Sequence, residues 1–409
     1  MFHPLINLLL TFTLIVLLMR KKVPLGLVMV SAAILLGILF KVALMEQINT
    51  IRRAIISPVF LQLGIALNII MFLEHVLRTK GYLSKTLSSL QTLIPSPKIN
   101  MMILPAFLGL LPSPGGAMFS APLVAEVGKD LKLTPEVKSQ VNYWFRHIWE
   151  YFIPLYPGII LAAKIFEIPV GRISIILGGY FFIAVGVGYL FIIKKIDDSK
   201  IPAPPSRTSA EKRKALLDLV AGIWPIMVVV LVVLIFRADV GLTVVSLLVI
   251  LVWINHYRKA ELKTLFKESF SLNLILLIIG VLFFKEMLQT AGVVTWLPSY
   301  LKGFGIPDML IVVVLTFFVA FATGLSQAYI ATAFPLLIGI TGTGAALRPG
   351  MLILAFISGF VGLMLSPLHL CFVLTVEYFK ADFLKVLRCL IVPELIILAS
   401  AVLFALIWK

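Results

Sequence analysis

Two short polar stretches, broken by proline and glycine, interrupt otherwise membrane-grade apolar sequence. They are Leu111-Pro112-Ser113-Pro114-Gly115-Gly116 in the first half and Thr323-Gly324-Leu325-Ser326-Gln327 in the second. Backbone that leaves the helix at membrane depth survives only where protein or a water-filled cavity satisfies its N–H and C=O groups, since each orphan costs roughly several kcal/mol in hydrocarbon. Each stretch is therefore expected at the tip of a re-entrant hairpin, and a matched pair of tips points to a binding site.

The rest of the sequence fits that setting. Of 409 residues 61% are hydrophobic and 13% charged, with a mean hydropathy of +1.09, which excludes a soluble globular chain. The formal charge of +16 would point to nucleic acid in a soluble domain. Here the basic residues sit mostly in loops between apolar segments, where they act as topology signals, and no nucleic-acid partner is expected. The two cysteines, Cys371 and Cys389, have no metal-ligand spacing, so neither a disulfide framework nor a metal site is expected.

A helix needs about 20 apolar residues to cross a bilayer. Spans are expected near 5–19, 25–44, 58–77, 144–165 and 173–193, and again near 216–236, 240–254, 272–288, 351–379 and 387–408. The interrupted segments 101–127 and 310–340 remain as hairpins. With the 194–214 linker placed in the cytoplasm, 24 of the 35 Lys and Arg fall on the inner side, as the positive-inside rule demands. Both termini are then outside. The expected class is an all-α, polytopic protein of the cell membrane with about ten transmembrane helices plus two re-entrant hairpins. Its units are an N-terminal repeat over 1–195, a proline-rich cytoplasmic linker over 196–214 and a C-terminal repeat over 215–409.

The halves resemble each other. Phe72, Leu77, Thr79 and Gly81 recur as Phe283, Leu288, Thr290 and Gly292, an offset of 211, and Pro122, Pro154 and Phe166 recur as Pro335, Pro367 and Phe379, an offset of 213. Five crossings per repeat is an odd number, so the second copy enters the membrane inverted, as in secondary transporters.

Downstream of each hairpin lies a further break, Ile153-Pro154-Leu155-Tyr156-Pro157-Gly158 and Leu365-Ser366-Pro367-Leu368-His369. Proline inside a helix removes a hydrogen bond and forces a kink or interruption. A break at the midplane turns a helix N-terminus inward, where its amides attract anions. Ser113, Pro114, Gly115, Gly116, Tyr156, Thr323, Ser326, Gln327, Ser366 and His369 are the expected substrate-binding residues. The alternative is that proline and glycine merely kink packed helices.

Ionisable residues inside spans are costly and mark function. His147 and Glu150 share a helical face just before Pro154 and are the expected proton-coupling pair, against the alternative that Arg146 ties up Glu150. Glu74, Glu377 and Arg146 fit snorkelling span ends. Lys285-Glu286 stands where Glu74-His75 stands in the first half, as a gate or packing pair. No carboxylate sits in either tip, which argues against a site for a bare cation.

Three spans, a hairpin, a broken helix and a closing span, given twice, resemble the ion-transporter superfamily. Leu111–Ala117 and Ser366-Pro367-Leu368-His369-Leu370-Cys371 resemble the corresponding stretches of an uncharacterised integral-membrane branch from archaea and bacteria. The resemblance implies secondary transport by alternating access. Dicarboxylate carriers of the superfamily place Ser-Asn-Thr at each tip, whereas this chain has Ser-Pro-Gly-Gly and Leu-Ser-Gln, so sodium coupling and dicarboxylate specificity do not carry over. The expected function is secondary transport of a small organic or oxo-anion coupled to H+ or Na+, with the lipid bilayer as surroundings and a homodimer as assembly. No further cofactor and no catalytic residue is expected. A cation/proton antiporter is the nearest alternative. An intramembrane enzyme or lipid-handling protein is the alternative from another class, although metal-protease, nucleophile-elbow and Walker A motifs are absent from the sequence.

Overall fold

The computed structural model describes residues 4–21, 23–112, 116–197 and 207–408. Ser113, Pro114 and Gly115, and all but the ends of the linker, lie outside the described residues. Among those described there is no strand.

The first half runs α1 (Pro4–Arg20), α2 (Leu25–Leu39), α3 (Leu44–Ile56), α4 (Pro58–Thr79), α5 (Tyr82–Leu93), α6 (Pro97–Leu108), α7 (Ala117–Asp130), α8 (Pro135–His147), α9 (Pro157–Ile165), α10 (Val170–Leu177) and α11 (Gly179–Gly188), which continues into a π-helical turn at Tyr189–Ile193. The second runs α12 (Ser209–Ile235), α13 (Val240–Ile254), α14 (Lys259–Ser269), α15 (Leu272–Thr290), α16 (Val293–Gly303), α17 (Asp308–Thr323), α18 (Ser326–Thr341), α19 (Pro349–Met364), α20 (Leu370–Phe379) and α21 (Phe383–Ile407). The order of long, short and broken helices in the first half recurs in the second. The lasting difference is at Gly178, where α10 and α11 divide what α21 spans unbroken.

Five described helical stretches are long and apolar enough to cross a membrane: 58–79, 170–193, 209–235, 272–290 and 383–407. The polytopic all-α membrane fold is completed by shorter apolar helices. Two expected spans are not single helices. The 144–165 segment divides into α8 and α9, and 351–379 into α19 and α20, each at its proline break. Four amphipathic helices, α3, α5, α14 and α16, had no place among the expected spans, because the connections they occupy read as polar loops when only apolar runs are counted.

Helix starts near the polar ends carry local signals. Ser57, Ser96 and Thr134 each precede a proline at the first helical position and accept a hydrogen bond from the backbone three residues on, a combination that satisfies one orphan amide and removes another. Thr208 and Glu211 close a capping box on α12, and Asp239, Ser271 and Asp382 cap α13, α15 and α21.

The two halves interlock reciprocally. Helix α2 packs on α15 and α4 on α13, while the second hairpin arms, α7 and α18, pack on the broken-helix segments of the opposite half, α20 and α9. Hydrogen bonds stitch the halves together, from Ser271 N to Asn68 Oδ1 at 2.8 Å and from Gly344 N to Phe166 O at 2.8 Å. The buried core runs through the centre, with α19 almost wholly enclosed.

Candidate functional site

The segments expected as hairpins are α6–α7 and α17–α18. Their arms of 12 and 14 residues, and of 16 and 16, reach about 18 to 24 Å at 1.5 Å per residue, short of a hydrocarbon core about 30 Å thick. The second hairpin is longer than the dozen residues per arm that its apolar runs imply, because α17 continues to Thr323 at the tip.

The end of each first arm, α6 and α17, packs against the broken helix of its own half. In the first, Gly109 at the end of α6 lies directly against the Arg146 carbonyl. The Tyr156 hydroxyl donates to Gly109 O, and Trp149 Nε1 donates to Ala106 O at 2.7 Å. In the second, Gly324 ends α17 in the left-handed conformation at φ 65° and lies against the backbone of Leu368 and His369. There Ser366 Oγ donates to Phe321 O at 2.6 Å and accepts from Leu368 N at 3.2 Å. Break residues thus satisfy carbonyls that a helix end leaves orphaned.

Four helices begin at the interruptions: α7 behind Gly116, α9 behind Tyr156, α18 behind Leu325 and α20 behind His369. None of these four has a side-chain cap. Contacts across the centre tie them together. Asn142 Nδ2 donates to Ala117 O and to Thr375 Oγ1, both at 3.1 Å, and the Tyr143 hydroxyl donates to Met364 O at 3.0 Å.

His147 and His369 lie at the middle of this arrangement, 1% and 8% exposed. Their Nε2 atoms are 3.2 Å apart. His147 Nδ1 faces Tyr143 O, and His369 Nδ1 faces Gly324 O at 3.0 Å. Glu150 Oε1 is 3.8 Å from His147 Nε2. Arg146, adjacent on α8, is also buried.

The expected binding residues fall into three groups. His369, Ser366 and Tyr156 are buried at the centre, and Gly116 is buried at the start of α7. Ser326 and Gln327 occupy the first turn of α18, half-buried, with Ser326 Oγ donating to Gln327 Oε1 at 3.4 Å. Thr323 is turned back on its own helix, donating to Val319 O at 2.7 Å. Ser113, Pro114 and Gly115 lie outside the described residues. Of the other ionisable residues, Glu74 pairs with Arg78 at 3.2 Å and Lys285 reaches exposed Glu167 at 3.4 Å, both away from the centre.

Sequence reasoning passed over Asn142 and Tyr143, and read Cys371 only as a cysteine without metal-ligand spacing. They are joined to the centre by contacts between residues more than 200 positions apart, which linear spacing cannot show. Cys371 Sγ comes within 4.8 Å of the two histidine nitrogens. The Ala117 amide is hydrogen-bonded to the thiol, and the imidazoles are at hydrogen-bond distance from each other. Glu394 is fully buried on α21, and neither carboxyl oxygen has a hydrogen-bond partner among the described residues.

A protein-family model described as "Protein of unknown function (DUF401)" matches residues 5–408. The chain belongs to the DUF401 family. In fold, this member resembles the Alcanivorax borkumensis YdaH transporter, whose crystal structure is described as revealing an unusual topology. The similarity has a TM-score of 0.59 at 13% sequence identity and covers 85% of each chain. No curated protein matches the chain significantly.

Proposed function

We propose that this DUF401 protein is a secondary transporter of a small organic or oxo-anion, working by alternating access and coupled to H+ or Na+. The observation that carries the reading is that four helices, two from each half, start without a side-chain cap around the buried His147–His369 contact. Exposed amides there carry partial positive charge, and buried Arg146 adds a full one. An anion is the ligand such a centre favours.

In this reading the two halves are inverted-topology repeats of the ion-transporter superfamily, α6–α7 and α17–α18 are re-entrant hairpins, and the protein lies in the cell membrane with both termini outside. Ser326, Gln327, Gly116 and the 113–115 tip line the anion site, while His147 and Glu150 handle the coupling proton. The likeness in fold to the YdaH transporter supports transport over catalysis. The hairpins and broken helices move together against the remaining helices, which form the contact surface of a homodimer.

The test is a thermal-stability screen of detergent-purified protein against small carboxylates, sugar acids, arsenite, phosphate and nucleobases, in Na+ and in K+, at two pH values. A ligand of the folded state raises the melting temperature by mass action. An anion that stabilises the wild type but not Ser326→Ala or Gln327→Ala supports the reading. A response to Na+ or pH with no response to any anion contradicts it and favours the cation/proton antiporter.

A further inference from the structure

The hydrogen-bond partners of the central histidines fix how many protons they share. A backbone carbonyl only accepts, so His147 Nδ1, facing Tyr143 O, and His369 Nδ1, facing Gly324 O, must both carry hydrogen. If both rings were neutral, each Nε2 would then present a bare lone pair, and the two pairs would point at each other across 3.2 Å. Two acceptors at that distance repel. One additional proton between them converts the contact into an N–H···N hydrogen bond of ordinary length.

We propose that His147 and His369 hold one shared proton between their Nε2 atoms, so that the pair is a single cationic proton-binding site built jointly by the two halves of the chain. Glu150 Oε1, 3.8 Å from His147 Nε2, is its counter-charge. Arg146 beside it on α8 acts in the opposite sense. The other titratable groups around the pair are Tyr143, Tyr156 and Cys371, with Tyr151 and Glu394 beyond them.

Two consequences follow. With Arg146 charged and Glu150 ionised, the centre is formally neutral when the pair lacks its proton and carries one positive charge when the proton is present. Proton and anion therefore favour each other's binding, and by linkage the effect is reciprocal. That is the thermodynamics of proton–anion symport, and this consequence alone rests on the transport reading above. The second is mechanical. His369 Nδ1 is held by Gly324 O at the tip of the second hairpin, so a hairpin movement that breaks this bond frees the ring to turn, separates the two Nε2 atoms and releases the proton.

The test uses a full-length H3Q/H75Q/H256Q chain, in which only the central pair remains, with 15N-labelled histidine in lipid nanodiscs. Imidazole nitrogen spectra near neutral pH are expected to show three N–H groups among the four nitrogens, with the shared one coupled across the hydrogen bond. Adding His147→Gln or His369→Gln should leave a single neutral ring and abolish the coupling. Two neutral rings in the parent chain would overturn the proposal. So would one tightly bound equivalent of Zn2+ that displaces the third proton and is lost in Cys371→Ser. Because the spectra count protons without any substrate, they fail or succeed independently of the proposed transport. If the proton is found but no anion strengthens its binding, the site stands and the symport consequence falls.

Discussion

The two hairpin tips solve one structural problem with different residues. Both bring a glycine at the end of the first arm into contact with the backbone of a broken helix, and both borrow a hydroxyl from that break to satisfy an arm carbonyl: Tyr156 for Gly109 and Ser366 for Phe321. Their chemistry nevertheless diverges. The first break delivers Arg146, His147 and Glu150 and has the neutral Ser326 beside its Gly158, whereas the second delivers Ser366 and His369. Fixed charge comes from one half and neutral polar groups from the other. Matched positions of the two halves thus share backbone shape without sharing chemistry, and the histidine pair is where both halves contribute a titratable ring.

The strongest way to break the comparison is to fill its glycines. A Cβ at Gly324 would lie 2.6 Å from the Leu368 carbonyl carbon, and its φ of 65° is strained for any L side chain. Gly324→Ala is expected to destabilise by on the order of 3 kcal/mol or more. Gly109→Ala would place its Cβ even closer to the Arg146 carbonyl oxygen, though at ordinary helical φ, so a loss of similar size is expected. Denaturation monitored by tryptophan fluorescence checks both, and a harmless Gly324→Ala would refute the close approach.

Next come the hydroxyls. Tyr156→Phe strands a buried carbonyl and Ser366→Ala a part-buried one, and each is expected to lose about 1–3 kcal/mol. Similar losses sharpen the equivalence of the two breaks, while a loss in one alone breaks it. Asn142→Ala removes the link between Ala117 and Thr375 across the halves, with an expected loss of about 1–2 kcal/mol.

The smallest effect lies outside the membrane spans. The Arg258 backbone amide and then Lys80, 2.8 Å away, hold the Glu261 carboxyl below the usual carboxylate range. A depressed acid contributes stability that is present above its unfolded value and is lost as pH falls through the folded one. The α14 start should therefore loosen only below the ordinary carboxylate range. Glu261→Gln should remove that acid dependence with little change near neutrality, as amide exchange of α14 would report.

Much of this was legible in the sequence because it depends on local chemistry. Proline and glycine at four matched places marked four helix interruptions, and the apolar runs marked the hydrophobic elements around them. What escaped depends on contact between distant segments. Nothing near Asn142 announces Thr375, and the Nε2 atoms of His147 and His369 meet only once the fold has crossed the halves. The amphipathic α3, α5, α14 and α16 escaped for another reason. A helix with one polar face breaks an apolar run even though its backbone continues.

The central claim is that a proton held by both halves drives an anion through the shared centre. Its most direct test is uptake into proteoliposomes of the anion that most stabilises the purified protein, with an imposed pH gradient and no sodium. The account predicts saturable accumulation driven by an acidic outside, absent in both His147→Gln and His369→Gln. Uptake that ignores the pH gradient, or that persists in either variant, would contradict it.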